Sequence, residues 1–103
     1  MQITFVIPCY NAKNIIIKNY EKLLKFIKRE KIRGKIIYIN DGSQDRTIEE
    51  LRKIRSKDVK ILDNKYNLGK SKSIVKVLKT VKTKNIVLID CDLPYFDYLS
   101  FGN

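Results

Sequence analysis

The apolar positions of this chain change spacing from one stretch to the next, and the changes mark out alternating strands and helices. Ile3 to Ile7 is a β-rich run stopped by Pro8, which predicts a buried first strand. From about Lys13 to Glu30, Ile16, Tyr20, Leu23, Leu24 and Ile27 recur at helical spacing, with Lys and Glu filling the other face. Gly34 separates that helix from a second strand, Lys35 to Ile39. The turn Asn40-Asp41-Gly42-Ser43-Gln44-Asp45 opens a second helix. There Thr47 and Glu50 have capping-box spacing, and Ile48, Leu51 and Ile54 form the apolar stripe. Val59 to Leu62 predicts a third strand and Asp63 to Gly69 a loop. A third helix is expected from Lys70 to Lys82, with Ile74, Val77, Leu78 and Val81 facing inward. Ile86 to Ile89 then runs straight into Asp90 and Asp92, as a strand buried on both faces of a parallel sheet would.

The alternation βαβαβαβ calls for an α/β fold, a Rossmann-like parallel sheet with right-handed crossovers. Doubly wound, it has strand order 3-2-1-4 and a switch point between strands 1 and 4. Tyr10 and Asn11 then share one crevice with Asp90 and Asp92, and Asp41 stands one strand away. At 103 residues, with no repeat or linker, the chain reads as a single domain.

The rim residues suggest chemistry. Asp90 and Asp92, two apart in an extended segment, point to the same side. Two converging carboxylates repel unless a cation sits between them or one takes a proton. Mg²⁺ or Mn²⁺ shared with substrate phosphates suits such a pair, although a solvated acidic turn is the plainer reading. Asp41 can accept from a ring N–H of uracil or guanine or stabilise its own Asp-Gly turn. Tyr10 can stack on a base or cap the core. Gly69-Lys70-Ser71 resembles the end of a phosphate loop, but that pattern needs Gly where Asn64 stands. The helix start there can still meet an anion.

The net charge of +11, from 22 Lys and Arg against 11 Asp and Glu, predicts attraction to anions. Nucleic acid, an acidic membrane surface, phosphorylated ligands and a simple lysine-coated surface all satisfy it. There is no His, which removes Ser-His and Cys-His catalysis. Cys9 and Cys91 make no disulfide framework and read as small buried residues, with a redox or metal role as the alternative. The start lacks the pattern of a signal peptide and no apolar run reaches the length of a membrane span, so a cytoplasmic location is expected.

Taken together, the motifs resemble the family 2 glycosyltransferases of the GT-A fold. Phe5-Val6-Ile7-Pro8-Cys9-Tyr10-Asn11 is similar to that family's opening Val-Ile-Pro-x-Tyr-Asn, and Asn40-Asp41-Gly42-Ser43-Gln44-Asp45-Arg46-Thr47 to its Asp-Asp-Gly-Ser-x-Asp-x-Thr. Asn67-Leu68-Gly69-Lys70 resembles its Asn-x-Gly-Lys, and Asp90-Cys91-Asp92 its Asp-x-Asp. The resemblance implies binding of a UDP- or GDP-sugar through Pro8, Tyr10, Asn11, Asp41, Lys70 and Asp90. Asp92, with Asp90, would hold Mg²⁺ or Mn²⁺. It implies sugar transfer, usually inverting, to an acceptor such as a polyprenyl phosphate or a glycan. Asp92-Leu93-Pro94 and the apolar Ile74 after Ser73 look more like the polyprenyl (dolichyl-type) phosphate branch. With the basic surface, this suggests peripheral docking at the cytoplasmic face of an anionic membrane.

The chain departs from the family at Asn40, where Asp is usual, and at Ser73, where Ala is frequent. The family's acceptor half and catalytic base are expected beyond Asn103, so no residue here is assigned as the base and the domain reads as incomplete. The aromatic segment Tyr95 to Phe101 would then be an apolar patch prone to self-association. Among other classes, a phosphoacceptor receiver domain lacks its acidic pair after strand 1. A nucleic-acid-binding domain rests on charge alone. An inactive nucleotide-binding remnant keeps the same fold.

Overall fold

The structure, a computed structural model, describes residues 1–91. The expectations for Asp92 and for Tyr95 to Phe101 fall outside the described residues. The elements are β1 (Gln2–Cys9), α1 (Ile16–Arg29), β2 (Arg33–Asp41), α2 (Thr47–Arg52), β3 (Val59–Asn64), α3 (Lys70–Leu78) and β4 (Asn85–Leu88). All strand pairs are parallel and the order is β3-β2-β1-β4, as the alternation predicted.

Side chains alternate across the sheet and build two cores. Phe5, Ile7, Ile36 and Tyr38 pack with Ile16, Leu23, Phe26 and Leu51, which puts α1 and α2 on one face. Val6, Ile37 and Ile39 pack with Val77 of α3 on the other. Only the inner strands are enclosed. Val6 and Ile7 are wholly buried and Ile39 nearly so, and the apolar runs of β1 and β2 reflect cover on both sides.

The expectation for β4 needs correction. It lies at the edge of the sheet among the described residues, and Ile86 and Leu88 are exposed by 37% and 52%. Register pairs them with Thr4 and Val6, so they point to the α3 face, but α3 packs chiefly over β1 and β2. Only Ile89, beyond the strand, is buried.

Both long helices are shorter than their patterns. α1 starts at Ile16 because Asn11 to Asn14 serve as a loop. α3 ends at Leu78, which is half-exposed. The Thr80 N–H and hydroxyl both bond to the Val77 carbonyl and close the helix. The capping box also fails. Thr47 lies inside α2 and is fully buried, the N-cap position falls to Arg46, and the Thr47 N–H donates to Asp45 Oδ1 at 2.9 Å.

Candidate nucleotide-binding crevice

Pro8 opens the crevice. The Ile89 N–H donates to the Val6 carbonyl at 3.0 Å, the last β1–β4 bond. In a parallel ladder the next donor on β1 would be residue 8, and proline has none. Pairing of β1 with β2 meanwhile continues to Cys9 opposite Asn40, and of β2 with β3 to Asp41 opposite Asn64. The sheet therefore splits between β1 and the segment after β4, at the switch point. The resulting cavity is about 370 Å³. Pro8, Cys9, Tyr10 and Ala12 line one side, Asp90 and Cys91 another, and Asp41, Asn67 and Lys70 the third.

Five of the seven residues singled out from sequence thus meet in one crevice: Pro8, Tyr10, Asp41, Lys70 and Asp90. Tyr10 is half-exposed and lines it, and a tyrosine ring is a stacking partner for a planar ligand. Asn11 does not line it. Its side-chain oxygen accepts from the Gln44 N–H at 2.8 Å, and its own N–H donates to the Ser43 hydroxyl at 3.0 Å. The left-handed backbone of Asn11 (φ 49°), which Asn tolerates better than most residues, allows both.

This is one part of a clip between two loops. The Ala12 N–H donates to Thr47 Oγ1 at 2.8 Å, the Lys13 N–H to Asp45 Oδ2 at 3.3 Å, and the Thr47 hydroxyl to Asp45 Oδ1. Burial opposes the charge on Asp45, but these bonds from Thr47 and Lys13 outweigh it and hold the carboxyl below its ordinary 3.8. Asn11, Ser43, Asp45 and Thr47 therefore lock the β1 and β2 loops together, whatever the crevice holds.

Asp41 is the hub of the third wall. It is buried, and its Oδ1 accepts from the Leu68 N–H (2.8 Å), Ser73 Oγ (3.1 Å) and Asn64 Nδ2 (3.2 Å). Its Oδ2 accepts from the Gly69 N–H at 3.1 Å. Burial is the largest single influence and works against the charge, but the bonds from Leu68, Asn64, Ser73 and Gly69 together hold the carboxyl below 3.8. Asn64 and Ser73, which sequence reading left without a role, complete this cage, and Asn64 also donates to Ser73 at 3.0 Å. The available signal was Ser73 at a core-facing position of α3, in step with Val77.

Asn40 explains its own departure from the family. Its amide donates to Asp63 Oδ1 at 2.8 Å, and Asp63 also meets Arg52 at 3.7 Å. An Asp at position 40 would set a second carboxylate against Asp63. Its Oδ1 is buried without a hydrogen-bond partner among the described residues.

At the crevice mouth, the Lys70 ammonium pairs with Asp90. No group of three or more His, Cys, Asp or Glu among the described residues is placed to hold a metal. Cys9 and Cys91 are both buried and form no disulfide.

A parallel sheet in this order, split at its switch point, is a doubly wound α/β domain, a class that binds its ligands at that crevice. The chain belongs to glycosyl transferase family 2, whose profile it matches over residues 4–98. It is 35% identical over 95 residues to an uncharacterized glycosyltransferase, YkcC, of Bacillus subtilis, covering 90% of this chain and 29% of that protein. The fold superposes on the mannosyltransferase PcManGT of Pyrobaculum calidifontis, solved with GDP-Man and Mn²⁺, with a TM-score of 0.82. The identity is 15%, over 98% of this chain and 30% of that one. TarS of S. aureus, residues 1–349, gives a TM-score of 0.74 at 26% identity, over 89% of this chain and 28% of that one. The chain spans less than a third of the length of each of these three proteins.

Proposed function

We propose that this chain is the donor-binding half of a glycosyltransferase, and that its crevice takes the nucleoside diphosphate of a UDP- or GDP-sugar with Mg²⁺ or Mn²⁺. The observation that carries the reading is the convergence of Tyr10, Lys70 and Asp90 on a crevice at the switch point. Tyr10 offers a stacking face for the base, and Lys70 a cation for the diphosphate. Asp41 holds the loop that forms the base-side wall.

The donor set fits a hard divalent ion. Asp90 is a rim carboxylate, and such an ion needs only one or two of these when phosphate oxygens and water complete its shell. Asp92 is the second in this reading. When bound, the ion acts as a Lewis acid on the diphosphate and offsets the charge of the leaving nucleotide. The acceptor in this reading is a polyprenyl phosphate or a glycan.

Calorimetric titration with UDP and GDP, with and without Mn²⁺, tests the proposal. One nucleotide binds in a metal-dependent way, and Asp90→Ala weakens that binding by roughly tenfold, the scale of a lost charge-assisted contact. Absence of binding by either nucleotide with Mn²⁺ rejects the reading.

We also propose that the chain docks peripherally at the cytoplasmic face of an anionic membrane. Between residues 65 and 88 the charged residues are all Lys: Lys65, Lys70, Lys72, Lys76, Lys79, Lys82 and Lys84. Tyr66, Leu68, Val75, Leu78, Ile86 and Leu88 are exposed in the same stretch. Basic and exposed apolar groups concentrated in one stretch of chain favour acidic headgroups. No described helix is long and apolar enough to span. Co-sedimentation with phosphatidylserine vesicles, lost at high salt and absent with neutral vesicles, is the expected result; equal binding to both removes this part of the reading.

A further inference from the structure

Among the described residues a single ion pair crosses the crevice, Lys70 to Asp90, and it joins the two groups that the nucleotide reading assigns to different ligands. We propose that Lys70 is an exchangeable counter-ion. It holds Asp90 while no nucleotide is bound, and a diphosphate draws the ammonium away and frees Asp90 for a divalent ion. The inference rests on the reading above and adds a coupling to it: diphosphate and ion each favour parting the same pair, so each tightens the other.

Three observations carry this. First, the loop just ahead of α3 is turned toward Asp41, which accepts from the Leu68 and Gly69 N–H groups, and Lys70 is the cationic side chain that lines that wall of the crevice. Second, both partners are partly open to solvent, with side-chain exposures of 56% and 39%. Such a pair is weak enough to exchange, and it is not a buried bridge whose rupture would strand a charge. Third, lysine carries a point charge on a flexible stem and can re-aim from a carboxylate to a neighbouring phosphate. A divalent ion approaching Asp90 would meet the ammonium on the same carboxylate, so ion and Lys70 compete until an anion takes the lysine.

The test is Mn²⁺ binding to the full chain, followed by the spin-resonance signal of free Mn²⁺, with and without UDP or GDP. Lys70→Met binds Mn²⁺ alone roughly two- to fivefold more tightly than the parent, the scale of one half-exposed ion pair. It binds the nucleotide without metal more weakly, and the factor by which nucleotide tightens Mn²⁺ falls correspondingly. Lys70→Arg, which keeps the charge, retains most of the coupling. Lys72→Met removes an equal charge outside this crevice and shifts Mn²⁺ binding by less than half as much. Unchanged or weaker Mn²⁺ binding in Lys70→Met, or an equal gain in Lys72→Met, overturns the exchange. If nucleotide binds but the coupling survives in Lys70→Met, the exchange fails and the nucleotide site stands. If no nucleotide binds to the parent, both fall.

Discussion

Asp41→Ala lowers the folding stability of this domain by about 3 kcal/mol, and Asp41→Asn recovers less than half of the loss. The argument is one of unmet donors. The carboxylate is 4% exposed and accepts from Leu68, Gly69, Asn64 and Ser73. Alanine leaves the Leu68 N–H and the Ser73 hydroxyl facing a void, while the Gly69 N–H and the Asn64 amide keep only their second bonds, to Asn67 Oδ1 and Ser73 Oγ. Asparagine keeps one acceptor oxygen but turns an NH₂ toward N–H groups that already donate, so part of the cage faces donor against donor. Asn64 and Ser73 act through the same carboxylate. Ser73→Ala should therefore be nearly silent in the Asp41→Ala background, though destabilising alone. Urea denaturation of the four proteins gives the cycle. An unchanged midpoint for Asp41→Ala would mean that the loop from Tyr66 to Gly69 is held by something else.

The same residue sets an acid limit. The folded-state pKa of Asp41 is lowered from 3.8, as is that of Asp45. A depressed carboxylate adds stability above its unfolded pKa and loses it as pH falls through the folded value. Stability should thus decline below about pH 4, and Asp41→Asn should flatten part of that decline, since it removes one of the linked protons.

The fold was legible because each inner strand is covered on both faces, and continuous apolar runs report double cover directly. β4 misled because Ile86 to Ile89 is equally apolar yet sits beside α3 rather than beneath it; hydropathy records the demand for cover, and topology decides whether a helix supplies it. The crevice was legible because strand ends in this order converge, which placed Tyr10, Asp41 and Asp90 together before any coordinates. Less legible was the division of labour within the motifs. Asn11, Ser43, Asp45 and Thr47 sit among the family's signature residues, but here they bond to one another and to the loop backbone. A motif read as a ligand list does not separate residues that touch a ligand from residues that shape the loop. Ser73 and Asn64 registered only as departures from known motifs, because each acts through Asp41, a partner 32 and 23 residues away.

Gly42→Ala costs about 3 kcal/mol or more and disables the crevice at the same time. Gly42 has φ +68°, a left-handed conformation costing roughly 1–2 kcal/mol for a residue with Cβ. The larger difficulty is space. A Cβ at this position would lie 2.4 Å from the Asn67 nitrogen and 2.6 Å from the Tyr66 carbonyl carbon, both backbone atoms that no rotamer change can move aside. The Tyr66–Asn67 segment must retreat, and it leads directly into the Leu68 and Gly69 N–H groups that Asp41 holds. Gly34→Ala is the control: its closest contact is Ile27 Cδ1 at 2.9 Å, the end of a flexible side chain, and its φ is not positive. That change should stay within about 1 kcal/mol of the parent. Amide exchange reads the mechanism, with Leu68 and Gly69 losing protection in Gly42→Ala and keeping it in Gly34→Ala. Because Asn67 and Lys70 line the crevice from this same loop, nucleotide binding should fall together with stability in Gly42→Ala. Asp90→Ala, by contrast, alters binding alone, since Asp90 sits at the open mouth and, among the described residues, pairs with the half-exposed Lys70. Protected amides and parent-like stability in Gly42→Ala would show that the loop can move aside without releasing Asp41.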